Sequence, residues 1–415
     1  MLLVKRPLLV AVPCFLLVLS FFFYISPRPR SRVQPARTPL TQPHGQHRFD
    51  GAWNYARDHD SLLLTQGECD LAFPDLFADL ERAGVVRADR PITLGEIDSI
   101  SPRNGYIRAM IHDQQLYVIA KEGAVWSREI ATLSALNRAI LTSPEPLPNI
   151  EFAFNTDDRI DDTAQWGYAR RPEDELVWLM PDFGFWSWPE IKAASTKEIL
   201  LDVERAEREG MNWTQKTDKL LWRGTSKLDH EIRNNLLSVT EKKPWADVKS
   251  LDQDGQQSMH SDYKTMPEYC DYKYLAHAER TSSSGRLKYL QMCRSVIVSH
   301  RLDWIQHHYH LLRSSGSEQN FVEVERDWSD LESKMKWLRK HDREAKRIAD
   351  NNVKTFRERY LTQAAEVCYW RRLIQEWAKA SDFEPEFFTE ENGKKVQRGL
   401  SVETFLLMRA MDWDS

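Results

Sequence analysis

The chain predicts an α/β fold on three observations. Short apolar or alternating segments such as IEFAFN (150–155), KLLWRGT (219–225) and VIVSH (296–300) have the length and pattern of strands. Longer segments such as WSREIATLSALNRAIL (126–141) repeat apolar residues every three or four positions, as a helix does. The two kinds alternate through both halves of the 415 residues, the order expected of layered α/β architecture. That length also implies two or more domain-sized units.

Residues 1–6 form a short tail. Residues 7–26, PLLVAVPCFLLVLSFFFYIS, carry no charge over 20 positions, enough to span a bilayer. Phe21-Phe22-Phe23-Tyr24 offers no small-residue cleavage context, so the reading is an uncleaved anchor. Arg28, Arg30, Arg32 and Arg37 follow the span, and a positive-inside count would leave the C-terminal side in the cytoplasm. Two features favour the opposite orientation. Four cysteines remain beyond the span, an even number suited to two disulfides, and Asn212-Trp213-Thr214 is a glycosylation sequon. Large C-terminal domains also translocate despite flanking charge. The expectation is a single-pass type II protein with its bulk luminal. Residues 27–48, rich in Pro, Arg, Gln and Thr, read as a flexible stem.

From Phe49 the chain reads as globular. DLAFPDLFADLERA (70–83) has helical spacing, and IRAMIHDQQLYVIA (107–120) reads as strand–turn–strand. The helix 126–141 leads to strand 150–155, which ends in NTDD. LVWLMPDFGFWSWPE (176–190) is a buried strand entering an aromatic loop. A charged helix (199–209), strand 219–225 and a helix over 231–239 follow. The segment 268–300 holds two cysteines, a YKYL strand, a Ser/Gly turn and strand VIVSH; NFVEVE (320–325) is a further strand. Residues 328–380 are helical, with breaks near His341-Asp342 and Thr362. This divides the chain into a first domain at 49–205, a second at 206–380 and an extension at 381–415. No internal repeat is visible.

The net charge of −5 gives no reason to expect nucleic acid as a partner. Several segments carry candidate chemistry. Asp157 and Asp158 close a strand, where a carboxylate can serve as general base toward a hydroxyl, or simply form a solvated turn. They or Asp252-Gln253-Asp254 could be read as metal ligands, but two carboxylates are a thin basis and the latter suit a solvated loop. Trp222-Arg223-Gly224-Thr225 ends a strand with a glycine that permits close backbone approach and an Arg that can fork to phosphate; a bulge with a structural Arg is the other reading. Arg233 is a second cation on the next helix. Thr281-Ser282-Ser283-Ser284-Gly285-Arg286 opens a helix, so its N–H groups and Arg286 suit a diphosphate, or an ordinary cap. Phe185 and Trp186, with Phe183 and Trp188, line a base or sugar pocket or pack in the core. Asp182-Phe183-Gly184 lacks the loops a kinase needs. His307, His308 and His310 lack partners at ligand spacing and read as surface or packing residues.

Taken together, PEYCDYKYL, the Ser-rich turn, GRLKYL and the second cysteine, with DFGFWSWPE, LWRGT and CYWRRLIQEW (368–377), resemble glycosyltransferase family 90, the capsule-associated family that includes Rumi-type protein O-glucosyltransferases, in its fungal branch. The resemblance covers roughly residues 105–378. It implies a GT-B-like fold, two Rossmann-type domains with the site in the cleft between them. It implies inverting transfer from a UDP-sugar, glucose or xylose, without a bound metal or other cofactor. The match places the base on Asp158, with Asp157 as its neighbouring alternative. It places donor contacts on Arg223, Gly224, Thr225, Arg233 and Thr281 to Arg286, with aromatics near 183–188 shaping the donor pocket. It implies a Cys270–Cys293 disulfide, leaving Cys69 to pair with Cys368. Gly285 stands where the protein glucosyltransferases carry an aromatic residue, and segments that bind a folded cysteine-rich acceptor are not recognisable. That leaves a glycan acceptor open beside a glycoprotein.

The expectation is therefore a Golgi or endoplasmic-reticulum sugar transferase. A non-catalytic luminal sugar- or nucleotide-binding protein on the same fold is the competing reading, and the joint presence of Asp158, Arg223 and Arg286 argues against it. A glycoside hydrolase would need two opposed carboxylates, and adjacent Asp157 and Asp158 point apart.

Overall fold

Two main sheets organise the chain from Phe49 onward. The computed structural model describes residues 49–189, 195–226, 231–251 and 262–413. The expected span 7–26, the stem 27–48 and Asp252-Gln253-Asp254 lie outside the described residues. Among the described residues no helix is long and apolar enough to cross a membrane.

The first sheet holds β1 (Tyr106–His112), β2 (Gln115–Lys121), β3 (Ile150–Asn155), β4 (Trp166–Gly167) and β5 (Trp178–Leu179). The second holds β6 (Thr217–Gly224), β7 (Ala246–Ser250), β8 (Tyr272–His277), β9 (Val296–His300) and β10 (Val322–Val324). A small hairpin of β11 (Phe388–Glu391) and β12 (Lys394–Gln397) precedes β13 (Leu400–Ser401).

The second sheet has the order β10-β9-β8-β6-β7 and is parallel throughout, as the strand–helix alternation predicts. The first, β13-β2-β1-β3-β4-β5, is mixed, and so departs from the all-parallel sheet of a Rossmann-type domain. The cause is local. Asp113 and Gln114 both take positive φ (48° and 63°), the two-residue turn that makes a tight antiparallel hairpin. β3 pairs antiparallel with β1 on one side and parallel with β4 on the other. All six of its residues are buried, although its sequence alternates. Glu151 tolerates this because Arg108 and Arg398 both pair with its carboxylate (2.7 and 2.8 Å).

The expected helix over 70–83 is two helices, Gln66–Ala72 and Ala78–Arg87, separated around Pro74. The breaks expected in 328–380 occur: helices Leu331–Lys340 and Asp342–Asn352, a π-helix Val353–Tyr360, then helix Gln363–Ala380. That last helix, expected with the second domain, buries Trp370, Leu373 and Trp377 in the first core beside Phe152 and Trp166. From the extension, β13 adds an edge to the first sheet through Leu400 and Val118. The chain thus crosses to the second lobe and returns.

Both disulfides form. Cys69–Cys368, with Cα atoms 5.7 Å apart, ties helix Gln66–Ala72 to helix Gln363–Ala380. Cys270–Cys293, at 4.9 Å, brackets β8 and the Ser-rich turn.

Candidate active site

A cleft of about 760 Å³ opens where loops at the carboxyl ends of β3, β6 and β8 converge, the place where sheets of this kind bind ligands. Its first-lobe wall includes Asn104, Gly105, Trp126, Arg128, Asp157, Asp158 and Phe183. Its second-lobe wall includes Thr225, Arg233, Arg280, Ser282 to Arg286 and Gln306.

The first-lobe lip is built on the end of β3. Asp158 Oδ1 accepts from Arg128 Nη1 at 2.9 Å, and the same nitrogen reaches Thr156 O at 3.1 Å. Among the described residues Oδ2 accepts no hydrogen bond. Asp158 is thereby oriented, one-third exposed and facing the cleft. Asp157 also lines the cleft, but its Oδ1 accepts from Asp158 N, which turns that oxygen back toward its own loop. Glu129 is buried on the first turn of helix Ser127–Leu141; it bonds Thr156 Oγ1 and accepts from Trp126 N at 2.7 Å. Gly105 takes φ +84°, and a Cβ there would lie 2.7 Å from Thr156 Oγ1, so this lip requires glycine.

On the second-lobe wall the Ser-rich turn lines the cleft, but the helix it opens, Leu287–Leu290, is a single turn. The expected helix-dipole contribution is accordingly small, and Arg286 with the serine hydroxyls carries the polarity. Arg286 Nη1 donates to Arg223 O, while its Nε has no partner among the described residues.

Arg223 sits elsewhere. Its Nη2 pairs with Asp247 Oδ1 at 2.7 Å, and its other nitrogens donate to the carbonyls of Trp222, Asp247 and Asp262. It is buried beside the cleft rather than in its wall, its guanidinium held by Asp247 of the neighbouring strand β7. Burial opposes the Asp247 charge, yet Tyr272 and Arg223 outweigh it and hold that carboxyl below its ordinary range. Gly224 is likewise outside the wall; a Cβ there would lie 2.7 Å from the Trp222 ring, so this glycine serves packing rather than ligand approach. Thr225 lines the cleft. Arg233 lines it too, with its guanidinium donating to the carbonyls of Thr225, Ala278 and Glu279.

The aromatic loop contributes Phe183 and Trp188 to the wall, not Phe185 or Trp186. Phe185 is buried in the first core, and Trp186 donates to Glu366 Oε1 at 3.0 Å beneath the Arg138 guanidinium. Burial pushes the Glu366 carboxyl up to about 8, only partly offset by the tryptophan hydrogen bond. His307 and His308 are buried packing residues; burial pushes His307 down to about 3. Asn212 is exposed, and its Oδ1 accepts from both the N–H and the hydroxyl of Thr214.

Sequence reasoning missed the ties across the cleft. Lys288, fully buried, contacts Asp182 Oδ1 at 2.5 Å and donates to Gly285 O at 2.7 Å. Burial depresses its pKa, and Asp182 works against that. Tyr289 Oη donates to Gly184 O at 2.6 Å, Gln306 Nε2 to Asp182 Oδ2 at 3.5 Å, and Arg159 Nε to Thr281 O at 2.7 Å. A lysine set within the apolar run LKYLQM was the available signal for the first of these.

Comparison with known proteins places the chain in a family. The family model described as Glycosyl transferase family 90 matches residues 65–404, most of the chain. The O-glucosyltransferase rumi homolog of Aedes aegypti is 24% identical over 274 residues, covering 61% of this chain and 67% of that protein. O-glucosyltransferase rumi of Drosophila pseudoobscura pseudoobscura is 23% identical over 307 residues, 67% of this chain and 71% of that protein. Protein O-glucosyltransferase 3 of Rattus norvegicus is 28% identical over 181 residues, 42% of this chain but only 35% of that protein. A wall holding a carboxylate opposite a Ser-rich turn and its arginine, in a chain matched over most of its length, leads to one conclusion: this chain belongs to glycosyltransferase family 90.

Proposed function

We propose that this glycosyltransferase moves a sugar, glucose or xylose, from a UDP-sugar to a hydroxyl of a glycan or glycoprotein with inversion at the anomeric carbon. The two lobes would act in the manner of a GT-B enzyme, the first taking the acceptor and the second the donor. The observation that carries this reading is the opposition of Asp158 and the Arg286 turn across a single cleft.

Asp158 Oδ2 accepts the acceptor proton as the hydroxyl oxygen bonds to the anomeric carbon and the bond from that carbon to the diphosphate oxygen breaks. Arg128 holds Oδ1 and so directs Oδ2 to the reacting side. Negative charge grows on the departing UDP. Arg286 and the Ser282–Gly285 turn stabilise it, a preorganised electrostatic contribution that is commonly the largest in such reactions. These groups supply the positive side of the step without a bound metal. Phe183 and Trp188 flank the donor. Arg223 acts indirectly, by fixing β6 and the carbonyl that holds Arg286.

The two disulfides support an oxidising compartment, and with the uncharged run 7–26 and the exposed Asn212 sequon they support a type II anchor with a luminal catalytic region, in the endoplasmic reticulum or Golgi.

The test is UDP release by the full chain against a panel of UDP-sugars, with EDTA present. One donor should turn over. Asp158→Asn should lower kcat by about 10²-fold or more while UDP still raises the Tm, since a base contributes roughly that much. A wild-type rate abolished by EDTA, or unchanged in Asp158→Asn, would overturn this mechanism.

A further inference from the structure

One aromatic side chain of the cleft has no role in the donor chemistry. Trp126 lines the cleft, yet 62% of its surface is exposed. Among the described residues it is the one exposed large hydrophobic residue in the cleft wall; the others, such as Leu71, Val85 and Trp337, lie away from it. Its position is fixed by the same groups that build the Asp158 lip. Glu129, 3% exposed, holds the Trp126 backbone N–H with one oxygen and the Thr156 hydroxyl with the other. Thr156 leads directly into Asp157 and Asp158, and Arg128, two residues after Trp126, pairs with Asp158. The backbone that carries Trp126 and the candidate base therefore belong to one hydrogen-bonded unit.

The surroundings of the indole are polar. Asn104, Gly105, Arg128 and Asp157 share its side of the cleft. A flat apolar surface ringed by amide, guanidinium and carboxylate groups complements a pyranose, which has an apolar C–H face and a rim of hydroxyls. A folded protein acceptor would need several exposed apolar or aromatic anchors around the mouth, and among the described residues Trp126 is the one exposed large hydrophobic side chain there.

We infer that Trp126 is the acceptor platform, so the acceptor is a glycan whose sugar ring lies on the indole with a hydroxyl turned toward Asp158. This rests on the donor and base assignments proposed above.

The test uses the full chain saturated with UDP. Saturation-transfer NMR measures binding of methyl glycosides and disaccharides of glucose, xylose, mannose and galactose, and of serine-containing peptides, to wild type, Trp126→Ala and Trp126→Phe. At least one saccharide should bind, weaken about tenfold in Trp126→Ala, and largely recover in Trp126→Phe. UDP should raise the Tm of all three chains equally, which shows that the exposed substitution left fold and donor site intact. Saccharide binding indifferent to Trp126→Ala overturns the inference, as does binding of peptides only or of no saccharide. Failure of UDP to stabilise the wild type would instead overturn the donor reading, and this inference with it.

Discussion

Lys288→Met removes one half of the ion pair that joins the two walls of the cleft. In the wild type the ammonium lies 2.5 Å from Asp182 Oδ1 and 2.8 Å from Oδ2, and donates to Gly285 O at 2.7 Å. Both partners are buried, Lys288 at 1% exposure and Asp182 at 6%. Removing one member of such a pair strands the other charge in a low-dielectric interior, at a cost of about 3–5 kcal/mol. At roughly 2 °C per kcal/mol for a protein of this size, the Tm should fall by about 6–10 °C. Asp182→Asn should do comparable damage, because the lysine then keeps only a carbonyl. The double variant Asp182→Asn/Lys288→Met buries no net charge, and should be more stable than the sum of the single losses by about 2 kcal/mol. Thermal and chemical denaturation of the four proteins close the cycle. Single losses below about 1 kcal/mol, or strict additivity, would show that the pair is screened and that the walls are held by other means. Because Lys288 also anchors the Ser-rich turn through Gly285, UDP should stabilise the double variant less than the wild type.

Three further outcomes follow from the same geometry. Glu366 keeps its proton to about pH 8 in the fold but loses it near 4.5 when unfolded, so its contribution is complete below 4.5 and is lost as pH rises through 8. At ~1.36 kcal/mol per pH unit the effect is capped at roughly 5 kcal/mol; Glu366→Gln, which can still accept from Trp186, should gain on the wild type in Tm between pH 5 and 9, and parallel curves would contradict the buried assignment. Arg223→Ala should cost about 3 kcal/mol by leaving Asp247 with Tyr272 alone and freeing three carbonyls, whereas Arg286→Ala should leave the Tm nearly unchanged and remove most of the UDP-induced shift; the reverse pattern would return Arg223 to the cleft. Replacing Cys270 and Cys293 by Ala opens a loop of 23 residues, for which chain entropy gives about 3 kcal/mol, and a Tm within 2 °C of wild type would show that this bridge is dispensable.

What the sequence made legible was whatever depends on near neighbours. The β1–β2 hairpin follows from a polar turn between two β-rich runs, the placing of Asp158 from a strand ending in NTDD, and the helix breaks from His341-Asp342 and Thr362. Arg223 misled because a strand-end arginine beside glycine has the pattern of a phosphate contact; only the pairing of β6 with β7 shows that Asp247 takes it. The mixed first sheet was illegible for a similar reason, since strand direction depends on which strand returns beside which. The cross-cleft partners are further apart still: Lys288 meets Asp182 across 106 positions and Arg159 meets Thr281 across 122. No local period carries such information.

Those long-range ties bear directly on how the site works. The base and leaving-group site proposed on opposite lobes can cooperate only if the gap between them is held to within a fraction of an ångström. A buried ion pair, Tyr289 to Gly184 and Arg159 to Thr281 all span that gap, and each ends on or beside a residue of the wall. Helix Gln363–Ala380 returns to the first core after the chain has built the second sheet, and Cys368 pins it there. The cleft width is therefore set by polar links across the gap, two of them buried, before any ligand arrives. In the proposed transfer from a UDP-sugar, such a site would need little reorganisation as charge moves onto the diphosphate, which is the condition under which fixed dipoles and cations stabilise a transition state most effectively.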